Sequence, residues 1–257
     1  MTRLLVVAGT ADAAEFVAAQ PPETEILATT FSRLGADCLA PRPGLRLHTG
    51  ALDAAAFQRL LAAEQPDWLV DLSHPFAVEV SQNARAAAAA CNVPYLRYER
   101  LSVAEEGAWG DVRRLPDFAA AAAACREIDG NILLTIGSKN LHYFTGLPDF
   151  HQRFYLRVLA ESRILQELEA MQIAPNHIFA MKGVAGVELN IALARQCKAA
   201  AIVSKDSGAA GGLHEKMWAA AELQIPLLLV DRPAKAQEPA AGVFHSLADL
   251  NRKIYQN

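Results

Sequence analysis

Short apolar runs alternate with alanine-rich stretches of helical character along this chain, and that alternation constrains the fold more than any other feature. "RLLVVAG" is followed by "ADAAEFVAAQ", "TEILATT" comes next, and "DAAAFQRLLAAEQ" precedes "DWLVDLS". A helical stretch after Pro75 and the run "VPYLRYE" complete this first series. The apolar runs are continuous rather than alternating, as in strands buried on both faces of a parallel sheet. Parallel neighbours need long crossovers, which the helical stretches supply.

The pattern restarts after "LSVAEEGAWGDVRRL". "PDFAAAAAACREI", "ESRILQELEAMQ", "VELNIALARQCK" and "HEKMWAAAELQ" read as helices; "NILLTIG", "QRFYLRVL", "NHIFAM", "AAAIVSK" and "IPLLLVDRP" read as strands. The expected architecture is α/β, two Rossmann-like doubly wound parallel-sheet domains with a cleft between them. The acidic, Gly- and Trp-containing segment Glu105 to Asp111 is the expected boundary, giving domains 1–110 and 111–257. "KAQEPAAG" reads as a surface loop before a last short element.

Composition narrows the function classes. With 257 residues, 52% hydrophobic, and a net charge of −4, the chain is that of a globular protein with a sizeable core. No basic block points to nucleic acid or to a membrane surface. The N-terminus lacks a signal-peptide pattern, and no run approaches the roughly 18 apolar residues of a spanning helix, so a cytoplasmic location is expected. Cys38, Cys91, Cys125 and Cys197 are scattered without a C-x-x-C pair, which favours buried, reduced thiols over zinc or a redox dithiol. The seven histidines show no metal-ligand spacing, and no metal site is expected.

In doubly wound sheets the chemistry gathers at the carboxyl ends of the strands. After the first strand, "AGTADAAEF" offers Gly9 for a tight turn and Thr10 or Asp12 as a helix cap, at a helix start that favours phosphate. A single glycine is not G-x-G-x-x-G, and an ordinary turn reads equally well. "TTFSR" after the second strand has Ser32 and Arg33 but no acid, which favours NADP over NAD; a solvated loop arginine is the plain alternative. "DLSHPFA" places Asp71, Ser73 and His74 at a strand end, with Pro75 fitting the first helical position and Ser73 or His74 the cap.

Three strand ends of the second half are rich in glycine and lysine. They hold Gly137, Ser138 and Lys139, then Lys182, Gly183 and Asn190, then Lys205, Asp206, Ser207, Gly208, Gly211, Gly212 and Lys216. Exposed backbone N–H groups and lysine charge suit carboxylate or phosphate. The last stretch lacks G-x-x-x-x-G-K-[ST], which excludes a Walker-type nucleotide hydrolase. Mildly acidic overall and cationic at its strand ends, the chain reads as a binder of a polyanionic small molecule. No residue pattern sets an oligomeric state.

With these stretches in view, the chain resembles the precorrin-6A reductase family, including members that act on the cobalt-bearing substrate. The resemblance rests on "AGTADAAEF", "DLSHPFA", "VPYLRYER", "LLTIGSKNL", "MKGVAGVELN" and "SKDSGAAGGLHEKMWAA". The family's forms are close to G-G-T-x-E-A, D-A-T-H-P-F-A, R-x-E-R, T-x-G-S-K-x-L, Q-G-P-F-S-x-x-x-N and T-K-D-S-G-x-x-G-G-x-x-E-K. Ala8 replaces the first glycine, Leu72 and Ser73 replace Ala and Thr, and "KGVAG" replaces Q-G-P-F-S, the largest departure.

The resemblance implies NADPH-dependent reduction of a tetrapyrrole in corrin-ring biosynthesis. It further implies that Gly9, Thr10, Ala11 and Asp12 face the pyrophosphate and that Ser32 and Arg33 hold the 2′-phosphate. Ser73 and His74 lie near the cofactor. Arg97, Arg100, Lys139, Arg157, Lys182, Lys205 and the Gly208 to Gly212 loop clamp substrate carboxylates, with Lys216 beside them. His74, Asp206, Lys205 or water supplies the proton. The rival readings are an NADP-binding sensor without turnover and a reductase of another polycarboxylate.

Overall fold

The computed structural model describes residues 1–100, 110–233 and 242–256. The expected domain boundary and the expected loop at 235–242 fall largely outside the described residues. The chain divides into two compact units, Met1–Leu101 with Lys235–Asn257, and Ser102–Ala234.

The first unit runs β1 (Arg3–Val7), α1 (Ala11–Ala18), β2 (Glu25–Thr30), α2 (Arg33–Ala36), β3 (Leu45–Thr49), α3 (Ala54–Glu64), β4 (Trp68–Asp71), α4 (Val78–Ala90) and β5 (Tyr95–Tyr98). The second unit runs β6 (Val112–Leu115), α5 (Phe118–Cys125), β7 (Asn131–Leu134), α6 (Phe150–Arg153), β8 (Phe154–Val158), α7 (Ser162–Ala170), β9 (Ile178–Ala180), α8 (Val187–Gln196), β10 (Ala199–Lys205), α9 (Leu213–Glu222) and β11 (Leu227–Val230). The chain then ends with β12 (Val243–Phe244) and α10 (Leu247–Tyr255).

The first sheet has the order β12-β5-β4-β1-β2-β3 and the second β6-β11-β10-β7-β8-β9, with parallel pairings throughout. Both follow the doubly wound plan, and the strand order reverses between β1 and β4 in one and between β7 and β10 in the other. The sixth strand is where they differ. In the second sheet it is β6, which precedes the other five; in the first it is β12, from the end of the chain. Val243 pairs with Arg97 and Phe244 with Tyr98. This corrects the expectation that 111–257 forms one domain.

Alternate residues of β1 serve opposite faces, as the pleat requires. Leu4 and Val6 pack with Phe16, Leu250 and Ile254, whereas Leu5 and Val7 pack with Phe57, Leu61 and Ala84. Burying a side chain such as Phe16 or Phe57 contributes roughly 1.5–3 kcal/mol. In the second unit Leu133, Ile202, Leu227 and Leu229 pack against Ala194, Met217 and Ala220 of α8 and α9.

The edge strands β3 and β6 were not anticipated, because arginines interrupt their apolar pattern. Arg46 pairs with Glu64, Arg113 with Asp111 and Arg114 with Asp231. Charge on an edge strand discourages pairing with other chains. Cys125 and Cys197 are buried, and burial pushes their thiols up to about 12 and about 11. Cys38 is exposed and Cys91 half-buried, which corrects the expectation that all four are buried. Among the described residues no helix is long and apolar enough to cross a membrane.

Candidate active site

At the reversal point of the first sheet, Thr10 caps α1 by accepting the Ala13 N–H (3.1 Å) and donates to Leu72 O (2.9 Å). One hydroxyl thereby joins the loops that follow β1 and β4. Gly9 has φ +117°, and a Cβ added there would meet nothing within 4 Å, so open space faces its backbone. Ser32 caps the short α2, its Oγ accepting the Gly35 N–H (3.3 Å), and Arg33 beside it is exposed. Ala11 is exposed as well, but Asp12 is buried and its carboxylate pairs with Arg100. This joins two stretches singled out for different ligands: Asp12 for the cofactor and Arg100 for the substrate.

"DLSHPFA" is organised by an internal network. Asp71 is 0% exposed. Its Oδ1 accepts the Ser73 N–H (2.8 Å), and its Oδ2 accepts from Tyr95 OH (2.7 Å) and Arg97 Nη1 (2.6 Å). The same Nη1 lies 3.0 Å from Ser73 Oγ and 2.7 Å from Ser81 Oγ. Burial by itself would push the Asp71 carboxyl up; the Arg97 charge and the Tyr95 and Ser73 hydrogen bonds outweigh it and hold the group below its ordinary value. Arg97, at 3% exposure, is thus turned into the unit rather than out to a ligand, which corrects its assignment as a substrate clamp. Ser73, also buried, belongs to the same network.

Helix α4 starts at Val78, with no side-chain cap, so Pro75 is not its first residue and neither Ser73 nor His74 caps it. His74 caps the preceding turn instead: its Nδ1 accepts the Phe76 N–H (3.1 Å) and its carbonyl accepts from Ala77 N (2.8 Å). In the neutral ring that arrangement puts the proton on Nε2.

The second sheet assembles cations at its carboxyl ends. Lys139 is exposed after β7, and Gly137 before it has φ +79° with open space on its side-chain face. Ser138 between them is half-buried. Lys205 ends β10, the strand beside β7. Burial pushes the Lys205 ammonium down to about 8, and the Lys139 charge adds to the effect. Arg157 on β8 donates to Asn190 Oδ1 (2.7 Å), and burial lowers its pKa. Lys216, 3% exposed, is pushed down to about 7 by burial, then by Arg157 and Lys205, with Glu215 opposing.

Several residues proposed as ligand contacts are instead internal braces. Asn190 is 1% exposed and donates to Ala185 O (2.8 Å) and Gly186 O (2.9 Å), so it shapes the 182–186 loop. Asp206, also 1% exposed, accepts the Gly208 N–H (3.3 Å) and pairs with Arg232 (3.4 Å), so its carboxylate is engaged within the unit, against its reading as a proton source. Ser207 Oγ donates to Gly211 O (3.1 Å). Lys182 and Gly183 remain exposed. A Cβ on Gly212 (φ +71°) would lie 2.4 Å from Val184 Cγ1, so the loops after β9 and β10 are in contact.

Tyr95, Ser81, Val184, Arg232 and Glu215 were not anticipated. Tyr95 had a readable signal, since it stands two residues before Arg97 on one strand face.

Known proteins carry the same plan. The family model described as precorrin-6x reductase CbiJ/CobK matches residues 3–253. A cobalt-precorrin-6A reductase of Methanothermobacter thermautotrophicus is 33% identical over 96% of this chain and 82% of its own length. A precorrin-6A reductase of Rhodobacter capsulatus is 32% identical, with 97% of each chain covered. The solved structure of CobK precorrin-6A reductase superposes with a TM-score of 0.80 at 27% identity, over 100% of this chain and 97% of that one. The match thus spans both sheets and every strand end described above, and the chain belongs to the precorrin-6x reductase family.

Proposed function

We propose that this chain reduces the precorrin-6A macrocycle, or its cobalt-bearing form, with NADPH in cobalamin biosynthesis. The observation that carries the reading is the gathering of Lys139, Arg157 and Lys205 at the carboxyl ends of one sheet, with Lys216 behind them in the first turn of α9, in a chain of net charge −4. Such a field suits a small molecule bearing many carboxylates.

Membership in a reductase family implies a nicotinamide cofactor in general. The first unit fits one: open space lies where a Gly9 Cβ would project, beside the start of α1, and Ser32 and exposed Arg33 follow β2. There Arg33 would neutralise a 2′-phosphate, and the α1 N–H groups would receive phosphate oxygens. When bound, the nicotinamide supplies the hydride. Lys205, whose ammonium is pushed down to about 8, would hold the proton delivered to the ring, since a donor with a pKa near the working pH is the effective one.

Anaerobic assay with NADPH and either metal-free or cobalt-bearing precorrin-6A tests this reading; no NADPH oxidation with either would overturn it. In the same assay Arg33→Ala is expected to lower the preference for NADPH over NADH by about tenfold or more, the loss of one charge-assisted contact. An unchanged ratio would remove Arg33 from the cofactor site.

A further inference from the structure

We propose that Lys216 is a positioning residue: its ammonium, held between the carbonyl oxygens of Gly211 and Gly212, sets the shape in which the 206–212 loop meets substrate carboxylates. The inference rests on reading the second unit as the polycarboxylate site.

A lysine at 3% exposure ordinarily faces a carboxylate, because an isolated buried charge is costly. Lys216 Nζ instead donates to Gly211 O (2.8 Å) and Gly212 O (2.9 Å). The neighbouring Glu215 attracts it, yet Glu215 Oε2 is buried without a hydrogen-bond partner and the ammonium's hydrogen bonds go to the two carbonyls. Arg157 and Lys205 repel it. The ammonium therefore sits where its electrostatics are poor and its backbone contacts are good.

Those contacts fall where the loop most needs holding. Gly208 and Gly212 both have φ near +70°, and Gly212 lacks a side chain with which to cap α9. The entry to the loop is held by Asp206 through Gly208 N–H and Arg232. The exit is held by Lys216, with Ser207 Oγ on the same Gly211 oxygen. A trans peptide points its C=O and N–H in opposite directions, so anchoring two carbonyls also orients the N–H groups that follow them into α9. The Gly212 N–H is spent on Ala209 O (2.8 Å), so the one set free at the helix start, where an anion is received, is that of Leu213. At 3% exposure Lys216 offers no surface of its own to a carboxylate, so the earlier reading of it as a direct clamp is replaced by an action through the loop.

Lys216→Met keeps the side chain's bulk and removes the charge. It is expected to raise the KM for precorrin-6A by about tenfold or more while kcat and the NADPH KM change by less than about twofold. The melting temperature should change little, because relief of the ammonium's desolvation offsets the loss of its two hydrogen bonds and Gly211 O keeps the Ser207 Oγ donor. The titratable and charged groups facing Lys216 are Glu215, Arg157 and Lys205, and Lys205 in turn faces Lys139. In the unmutated protein substrate KM should therefore rise in two steps, near pH 7 from Lys216 and near pH 8 from Lys205. Lys216→Met should lose the first step and keep the second.

A fall in melting temperature with substrate KM and the pH 7 step intact would make Lys216 a structural brace and overturn the proposal. If Lys216→Met does not fold, Lys216→Gln, which keeps a donor for one carbonyl, is read by the same two quantities and overturns the proposal if both are unchanged. Absence of turnover in the unmutated protein would instead overturn the function proposed for the site.

Discussion

Replacing Asp71 with alanine is expected to cost about 3–5 kcal/mol of folding stability, measured by urea unfolding, because it removes the carboxylate that faces a buried guanidinium. Asp71 is 0% exposed, and Arg97, 3% exposed, has its Nη1 2.6 Å from the carboxylate. Tyr95 OH and the Ser73 N–H would lose an acceptor at the same time. The double variant Asp71→Leu with Arg97→Met should recover much of the loss, since apolar groups of similar volume replace a buried pair without its desolvation cost. The pair also gives a pH signature. The folded Asp71 carboxyl lies below its ordinary value, so its stabilisation is complete above the unfolded carboxylate's pKa and is lost as pH falls below that range through the folded value. Asp71→Ala should lack that acid-sensitive component. A loss of under about 1 kcal/mol, the value of an exposed ion pair, would mean that the network is not what holds the 71–77 turn.

The second large effect is expected on substrate binding. Lys139→Ala combined with Lys205→Ala should raise the precorrin-6A KM by about 100-fold or more at saturating NADPH, because each removes a charged hydrogen-bond donor worth about 1.5–3 kcal/mol. The single variants separate the two roles. Lys139 is exposed and carries charge only, so Lys139→Ala should change KM and spare kcat. Lys205, pushed down to about 8, is also the proposed proton donor, so Lys205→Arg should restore KM but not kcat, a guanidinium being too weak an acid. Equal recovery of kcat by arginine would remove the proton-transfer role and leave the binding role.

The strand ends were legible in the sequence, and so was the placement of several polar residues beside them. Gly9 follows an apolar run directly, Lys205 after one serine and Lys139 within five residues of β7, and each marks the carboxyl end of a parallel strand. Local pattern suffices there, because a strand's continuous burial is written in consecutive residues. The partners of the charged side chains were not legible. Arg97 and Arg100 read as exposed clamps because nothing within "RYER" says what they will meet. Asp71 and Asp12, far away in the chain, meet them only once β1, β4 and β5 lie side by side. Lys216 and Asn190 likewise appeared as ligand contacts, and folding spent them on the loops of their own unit.

By itself the sequence determined the alternation of strand and helix, the parallel sheets that alternation requires, and the family to which the strand-end motifs belong. Only the tertiary structure decided that the last strand returns to the first sheet. β12 is two residues long, too short to carry a periodic pattern, and its place depends on pairing with Arg97 and Tyr98 far earlier in the chain. The tertiary structure also decided which cations face outward and which are consumed within. That choice turns on non-local partners: a buried charge must find an opposite charge or a carbonyl, and only the folded chain brings one within reach.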